Sequence, residues 1–254
     1  MQGSNIPNDI VPGLVPTMNQ YGLMTKIFDI YTKKFIKYTL SLESEIHVAE
    51  LGAAYGAVTQ EIIRHNKKVK ITVNDLDKRH LTVLQKKIKN QNNSIQIKPK
   101  IVIGRLPDGI NFAENTFDAI LAARVMQYLL PRDLIKALKK IRLWLKPKGK
   151  LFLVTKTPYI KMLSTFITTY ERRKSRGDRW PGVIKDFNQR FNHDISISHI
   201  VPKFIHVFDP DILKRACIEC GLIIEECSFI NRKDLPLDIR LTGKEEVGLI
   251  AHKE

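Results

Sequence analysis

Short apolar runs rich in β-branched residues alternate with longer amphipathic segments from about residue 47 onward. IHVAEL, VKITVND, IKPKIVIG, FDAILAAR and KLFLVTK have the character of strands, whereas VTQEIIRHN, KRHLTVLQKKIKNQ and PRDLIKALKKIRLWL have helical spacing. Strands that alternate with helices form βαβ units, in which helices cover both faces of a mostly parallel sheet. The pattern therefore predicts a doubly wound α/β fold.

The apolar pattern also predicts elements on either side of this alternation. Residues 20–40 have helical spacing, which predicts an N-terminal helix, and the prolines Pro7, Pro12 and Pro16 make residues 1–19 an extended or mobile arm. FDPDILKRACIECGLIIEECSFI predicts a helix and a strand, and EVGLIAHK predicts a last strand. The interval from about Tyr159 to Val207, between the core and this last helix, is too long for a simple connection. It predicts a partly helical insertion over the sheet edge.

These segments predict a single domain in four parts. Residues 1–44 are the arm and helix, residues 45–156 the core, residues 157–207 a basic and aromatic lid, and residues 208–254 a C-terminal helix and strands that complete the sheet. The length of 254 residues and the 43% apolar content suit one soluble globular domain. The first residues lack a signal-peptide pattern, so the expected location is cytoplasmic.

Charge is unevenly distributed along the chain, whose net charge is +16. Residues 47–156 carry 22 Lys and Arg against 8 Asp and Glu. Such a field favours an anionic partner, either nucleic acid, a phospholipid surface or a phosphorylated small molecule. A solvated lysine-rich surface is the alternative, and it is the better interpretation for scattered lysines such as Lys86 and Lys87.

Three cysteines, Cys217, Cys220 and Cys227, lie close together in the sequence. The first two form a CxxC pair, which can bind a metal or act in redox chemistry. A four-ligand zinc site needs more Cys or His than this segment offers. We expect reduced thiols that pack in the core, and no metal site.

The turn after the first predicted strand has the composition of a ligand-binding turn. It reads Glu50-Leu-Gly52-Ala53-Ala54-Tyr-Gly56, in which glycine and alanine let the backbone approach a ligand and enter the next helix. Ligands of open parallel sheets bind beyond the carboxyl ends of the strands. A dinucleotide site would have GxGxxG, whereas the carboxylate here is a poor neighbour for a pyrophosphate and a good one for an amine.

This turn resembles the first motif of the class I S-adenosylmethionine-dependent methyltransferases, an acidic residue followed by x-Gly-x-x-x-Gly. The resemblance extends from Val48 to Lys253 and implies a seven-stranded Rossmann-like methyltransferase sheet. It implies that S-adenosylmethionine is the cofactor and S-adenosylhomocysteine the product. The cofactor contacts that it implies are Glu50, Gly52, Ala53, Ala54, Gly56, Asp75, Leu76, Gly104, Arg105, Leu106, Ala122 and Ala123.

Three later segments carry the rest of the resemblance. In ITVNDLDKRHL, Asp75 takes the place of the ribose ligand and Leu76 packs on the adenine, with Asp77 as a substitute ligand or a helix cap. IVIGRLPDG lacks the family's acidic adenine contact, for which Asp108 or a backbone group would substitute. NTFDAILAARVMQYL and the LKPKG turn resemble the family's fourth strand and the glycine turn before the fifth.

The resemblance does not identify the acceptor of the methyl group. The (Asp/Asn)-Pro-Pro-Tyr motif of methylases that act on exocyclic or amide nitrogens is missing after the fourth strand, where the chain has AARV. VMQYL is similar to family members that modify small molecules or lipids, so we expect such an acceptor, and the charge suits an anionic one. The alternatives are RNA or another nucleic acid, and a cofactor-binding interaction module without activity.

The candidate catalytic residues are Tyr128, Tyr159 and His193, with His199 and His206 as weaker candidates. The two tyrosines follow the fourth and fifth strands, and the histidines lie in or near the lid. A cluster of basic residues in the lid could bind phosphate beside Trp180, or face solvent while Trp180 packs on the sheet. The cluster comprises Arg172, Arg173, Lys174, Arg176 and Arg179.

Overall fold

The computed structural model describes residues 7–9, 13–19, 22–42, 45–65, 68–90, 97–190 and 202–254. Its helices are α1 (Ile30–Ser41), α2 (Ala57–Arg64), α3 (Lys78–Asn90), α4 (Pro131–Trp144), α5 (Ser164–Ser175) and α6 (Pro210–Glu219). Short 3₁₀ turns lie at Met126–Tyr128, Lys161–Leu163 and Phe187–Arg190. None of the helices in these ranges has the length and apolar content needed to cross a membrane.

Eleven strands lie in the described ranges. They are β1 (Leu14–Pro16), β2 (Leu23–Thr25), β3 (Ile46–Leu51), β4 (Val69–Asp75), β5 (Lys100–Ile103), β6 (Phe117–Ala123), β7 (Leu145–Lys156), β8 (Val183–Ile184), β9 (Ile205–His206), β10 (Ile223–Ile230) and β11 (Glu246–His252). Seven of them form one sheet in the order β10-β11-β7-β6-β3-β4-β5. Strands β3 to β7 are parallel, whereas β11 pairs antiparallel with both β7 and β10. The predicted doubly wound, mostly parallel seven-stranded α/β fold is confirmed.

Helices cover both faces of the sheet because alternate residues of each strand point to opposite sides. On β3, Val48 belongs to the apolar cluster that contains Tyr31, and Ala49 belongs to the cluster that contains Trp144. The chain runs outward from β3 through β4 to β5 and then returns to place β6 on the other side of β3. The order of the strands thus reverses beside β3, which is where such sheets bind ligands.

The N-terminal region differs from its prediction. The predicted helix over residues 20–40 is wrong at its start, because α1 begins at Ile30, where the Asp29 carboxylate accepts hydrogen bonds from the backbone N–H groups of Tyr31 and Thr32. Part of the predicted arm, β1, pairs antiparallel with β2 in an N-terminal hairpin, residues 14–25. Leu14 and Val15 are buried, so this part of residues 1–19 is packed against the fold.

The segment between β7 and α6 has a small core of its own. The helix α5 and the antiparallel pair β8–β9 enclose a buried apolar cluster that includes Leu163, Phe166 and Tyr170. Residues 191–201 lie outside the described ranges, and with them the predicted candidates His193 and His199.

The cysteines lie close to α6, as part of the fold's apolar interior. Cys217 and Cys220 are buried in the cluster around Trp144, and Cys227 packs against it. All three are free thiols. Burial raises the pKa of each of them, and raises that of Cys227 to about 12, so they stay protonated near neutral pH and serve as apolar packing residues.

Candidate functional site

A cavity of about 300 Å³ lies beyond the carboxyl ends of β3, β4, β5 and β6. Ten of the twelve predicted cofactor contacts line it, namely Glu50, Gly52, Ala53, Ala54, Asp75, Leu76, Gly104, Arg105, Leu106 and Ala123. Gly56 and Ala122 do not line it. Ala122 is fully buried in the core, and Gly56 begins the turn into α2 against Leu84.

The turn after β3 requires residues without bulk. Gly52 has a φ of +67°, and a Cβ atom there would lie 2.8 Å from Cβ of Val125, the residue two positions beyond β6. Ala54 also has positive φ, at 46°, in a region that L-residues rarely occupy. The backbone N–H of Ala53 donates to the carbonyl of Asn74 at 2.9 Å. The turn is therefore held against β4 and leaves its inner side open to the cavity.

Glu50 lies at the floor of this cavity with a carboxylate that is only partly satisfied. Its Oε2 accepts hydrogen bonds from the backbone N–H and the hydroxyl of Thr59, at 3.0 and 2.5 Å. Its Oε1 accepts none from any residue in the described ranges. Burial raises the pKa of Glu50 to about 7, with a further rise from the charge of Asp75, and the Thr59 hydrogen bonds only partly offset this. A cationic ligand group would stabilise the ionised form.

Asp75, at the end of β4, is the most connected carboxylate of the cavity. Its Oδ2 accepts from the backbone N–H of Ala54 at 2.8 Å. Its Oδ1 accepts from the N–H of Asp77 at 2.9 Å and lies 3.0 Å from Nδ1 of His80. A carboxylate offers about four acceptor positions, so Asp75 in this arrangement can accept one further hydrogen bond, on Oδ2.

The residues beside Asp75 form a further part of the cavity lining. Leu76 lines the cavity and is 46% exposed, which is unusual for a leucine next to a buried strand. Gly104, Arg105 and Leu106 form the facing wall, and the N–H of Gly104 donates to the carbonyl of Asp75. Asp108 does not line the cavity, because its carboxylate pairs with Lys136. Asp77 caps α3 by accepting from the N–H of Arg79.

The N-terminal hairpin closes one side of the cavity, a contribution that the sequence did not indicate. Thr17, Asn19, Gly22, Leu23, Met24 and Thr25 all line it. Gly22, with φ at +145°, lies so close to Tyr128 that a Cβ atom would be 2.3 Å from the tyrosine oxygen. Strands of three residues are too short to show a period of their own, so only the contacts reveal the role of this hairpin.

His80 connects the hairpin to Asp75. It is fully buried, and its Nε2 accepts a hydrogen bond from the backbone N–H of Met18 at 3.0 Å. Because Nε2 is an acceptor, the ring proton lies on Nδ1, which donates it to Asp75. The hydroxyl of Tyr55 donates to the carbonyl of Pro16 at 2.8 Å, and this second contact holds the same hairpin.

Replacing His80 by phenylalanine is expected to loosen the hairpin. The ring is kept, but Met18 N–H loses its acceptor and Asp75 loses a donor, and each buried unpaired group costs about 1–3 kcal/mol. Hydrogen exchange of peptides that cover residues 14–25 should accelerate by roughly 10-fold or more. The His252→Phe variant is the control, because His252 pairs with Glu225 at the surface. Unchanged exchange in His80→Phe would contradict this role.

A buried group of charges surrounds Arg124, which lines the cavity. Arg124 has a φ of +59° and donates to both oxygens of Glu246, at 2.7 and 2.6 Å, and to Asp29 at 2.7 Å. Arg232 donates to Glu246 as well, at 2.5 Å, and to Asp234. Burial by itself would raise the pKa of Glu246, but the two arginines hold it at about 2. Glu246 is therefore ionised in the folded protein.

A second cavity, of about 70 Å³, adjoins the first. The two share Gly22, Leu23, Thr25, Arg124 and Tyr128. The walls of the second are apolar, with Leu14, Met162, Phe187, Ile205, Leu235 and Ile239, and its polar lining includes Lys156, Arg232 and Glu246. It thus lies between the sheet, the hairpin and the predicted lid.

Among the predicted catalytic residues in the described ranges, Tyr128 lines the cavities and Tyr159 does not. Tyr128 lines both cavities, and burial raises its pKa to about 12, so its hydroxyl is a donor at neutral pH. Tyr159 lines neither, because its hydroxyl bonds to Glu171 and its ring packs against Tyr170 and Phe229. His193 lies outside the described residues. His206 is buried against Trp180 and Phe208, and burial lowers its pKa to about 3.

Most basic residues of the predicted lid have structural partners. Arg173 donates to the carbonyls of Pro181 and Val183. Lys174 pairs with Asp209 and Asp211. The guanidinium of Arg179 lies 5.6 Å from the ring centre of Trp180, and Trp180 packs against the main core. These contacts match the alternative in which Trp180 anchors the segment to the sheet.

Comparisons with known proteins agree with this fold. A family model described as a methyltransferase domain matches residues 49–151. An S-adenosylmethionine-dependent methyltransferase from Methanosarcina mazei is 15% identical over 89% of this chain and 99% of its own, with a TM-score of 0.63. A putative methyltransferase of the same kind from Listeria monocytogenes is 13% identical over 88% of this chain and 98% of its own, with a TM-score of 0.58.

A third solved structure is a putative methyltransferase from Haloferax volcanii in complex with the activator Trm112. It is 15% identical over 87% of this chain and 88% of its own, with a TM-score of 0.56. No curated protein matches the sequence.

The fold and the site define an α/β protein of the Rossmann-like class whose larger cavity lies at the switch point of the sheet. The matched domain covers the strands and turns that build the larger cavity. Residues 49–151 match a methyltransferase domain, and the fold is similar to that of solved S-adenosylmethionine-dependent methyltransferases.

Proposed function

We propose that the chain transfers the methyl group of S-adenosylmethionine to a small-molecule or lipid-like acceptor that enters through the second cavity. The observation that carries this proposal is the continuity of the two cavities, which share five residues around Tyr128. One cavity has the predicted cofactor contacts, and the other has apolar walls with charges at one end. An acceptor in the second cavity would lie next to the cofactor and away from water.

The residues of the larger cavity fit the cofactor in three places. The free Oε1 of Glu50 suits the ammonium of the methionine part, the remaining acceptor position of Asp75 suits a ribose hydroxyl, and the exposed side chain of Leu76 suits the adenine. When bound, S-adenosylmethionine supplies a methyl group already activated on a sulfonium. The protein's own task is to align the acceptor and exclude water.

Glu50 should make cofactor binding dependent on pH. Its pKa is about 7, so below pH 7 the carboxyl must lose a proton before it can pair with an ammonium. The affinity for S-adenosylhomocysteine should fall by up to about tenfold per pH unit below 7 and level off above it. Calorimetry between pH 5.5 and 8.5, in buffers of different ionisation enthalpy, measures both affinity and proton release.

Two variants complete this experiment. Glu50→Gln should bind more weakly and lose the pH dependence, whereas Glu45→Gln, at an exposed ion pair with Lys70 just before the same strand, should behave like the wild type. The raised pKa of Glu50 also affects how the stability of the protein depends on pH. Because folding raises the pKa of Glu50 from 4.5 to about 7, its contribution to the free energy of unfolding decreases as pH rises through that interval. A pH-independent wild-type affinity would exclude Glu50 from the ammonium site.

Transfer of labelled methyl groups tests the acceptor class. The enzyme with labelled S-adenosylmethionine should label a component of a small-molecule or lipid extract, and Asp75→Ala should abolish the labelling. Labelling of RNA alone, together with binding that weakens steeply with salt, would instead support the nucleic-acid alternative. The partnered lid residues Arg173 and Lys174 favour the small acceptor, because they are already used within the protein.

A further inference from the structure

The second cavity differs from the first in size and charge. Its volume is about 70 Å³, against about 300 Å³ for the first cavity. Such a cavity admits a small group, while the rest of a ligand has to extend into the part that the two cavities share. The cavity is thus suited to one terminal group of an acceptor.

Lys156 is the uncommitted cation of this cavity. It is the last residue of β7, where its backbone N–H donates to Gln127 and its carbonyl accepts from Phe208. Its ammonium group forms no hydrogen bond or ion pair with any residue in the described ranges. The two other cations that line the cavity, Arg124 and Arg232, are hydrogen-bonded to Glu246.

The charges that act on Lys156 leave it short of a counter-ion. Glu246 attracts it, but Glu246 is already shared by two arginines, and both arginines repel the ammonium. Asp29 and Asp234 are bonded to those arginines and not to Lys156. Burial is the main cause that lowers the pKa of Lys156, and the arginines lower it further. An anion beside Lys156 would offset both effects.

We propose that Lys156 binds a carboxylate of the methyl acceptor in the second cavity, so that the acceptor is a small carboxylic acid. The inference rests on the proposed function and makes its substrate class more specific. The single ammonium of Lys156 balances the single charge of a carboxylate, whereas a phosphate monoester carries a charge of about −1.5 to −2 at neutral pH and the two arginines of the cavity are already bonded to Glu246. The hydroxyl of Tyr128 and the apolar side chains of Leu23 and Ile239 surround the attached carbons.

The test uses butanoate as the probe and compares it with butanamide and butylamine, which have nearly the same shape and a different charge. The protein is saturated with S-adenosylhomocysteine, and binding of each probe is measured by ligand-observed NMR titration. Butanoate should bind at least tenfold more tightly than either analogue, because charge-assisted hydrogen bonds are about twice as strong as neutral ones.

Variants assign the effect to Lys156. Lys156→Met keeps the length of the side chain and should weaken butanoate binding at least tenfold, without changing the affinity for S-adenosylhomocysteine. Lys156→Arg should retain part of the binding. Lys161→Met is the control, because Lys161 is exposed near Asp238 and lines neither cavity.

Equal binding of butanoate and butanamide, tighter binding of butylamine, or unchanged butanoate binding in Lys156→Met would overturn the inference. Each of these results can be distinguished from failure of the proposed function, because the binding titration requires no methyl transfer. If the chain binds butanoate through Lys156 but labels only nucleic acid, the anion site holds and the acceptor class is wrong. If it labels small molecules that lack a carboxylate, the proposed function holds and the carboxylate inference fails.

Discussion

Replacing Asp75 by alanine is expected to weaken binding of S-adenosylhomocysteine by about 100-fold. Hydrogen bonds to charged groups contribute about 1.5–3 kcal/mol each, and 1.4 kcal/mol corresponds to a factor of ten in affinity. The variant loses the acceptor proposed for the ribose. It also releases the N–H of Ala54 and the ring of His80, both of which Asp75 now holds. Isothermal titration calorimetry measures the affinity directly.

Two matched variants separate this effect from a loss of structure. Asp75→Asn keeps the side-chain volume and should fall between the wild type and Asp75→Ala. Asp77→Ala removes the neighbouring carboxylate, which pairs with Arg79 and caps α3, and should change the affinity by less than about threefold while costing about 1 kcal/mol of stability. Wild-type affinity in a folded Asp75→Ala protein would show that the ribose site lies elsewhere.

Replacing Glu246 by alanine is expected to destabilise the protein by about 3–5 kcal/mol, because the change leaves buried cations without their partner. Arg124 and Arg232 both depend on Glu246, which is 2% exposed. For a chain of this length the loss corresponds to a decrease of about 6–20 °C in the thermal midpoint. Glu225→Ala removes a surface carboxylate of β10 that pairs with Lys150 and should cost less than about 1 kcal/mol.

Glu246 should also make the free energy of unfolding depend on pH in acid solution. Folding lowers the pKa of Glu246 from 4.5 to about 2, so its stabilising contribution is complete above about pH 4.5 and is lost as pH falls toward 2. Denaturant unfolding at several pH values should show this loss in the wild type and a smaller one in Glu246→Gln. If the two proteins had parallel curves between pH 5 and 2, Glu246 would not be the ionised centre of the group.

The core of the fold could be predicted because its signals are local. The strands over residues 46–51 and 69–75 have their predicted bounds, since each is a buried run with a turn or a helix on both sides. The parallel part of the sheet follows from the alternation of strands and helices, whereas the reversal of the strand order at β3 does not. The start of α1 was predicted ten residues too early, because apolar residues of the hairpin mimic helical spacing and the cap at Asp29 was not recognised.

The larger cavity could be predicted where residues at the carboxyl ends of the parallel strands build it. Glu50, Gly52 and Asp75 follow two successive strands, so their sequence order places them together. The hairpin and the charge group depend on long-range contacts, such as Met18 with His80 and Arg124 with Glu246, which are 62 and 122 positions apart. A single sequence holds no periodic signal for such pairs, because each partner alone has the pattern of an ordinary surface or turn residue.

The position of β11 has a consequence for biosynthesis. This strand is inserted between β7 and β10, and its first residue supplies the carboxylate that Arg124 and Arg232 share. A ribosome adding roughly 5–20 residues per second needs about 6–24 s to pass from Arg124 to Glu246, which are 122 positions apart. During that time the nascent chain already has the turns that line the larger cavity but cannot close the sheet around the second cavity. The second cavity can therefore be completed only after β11 has left the ribosome.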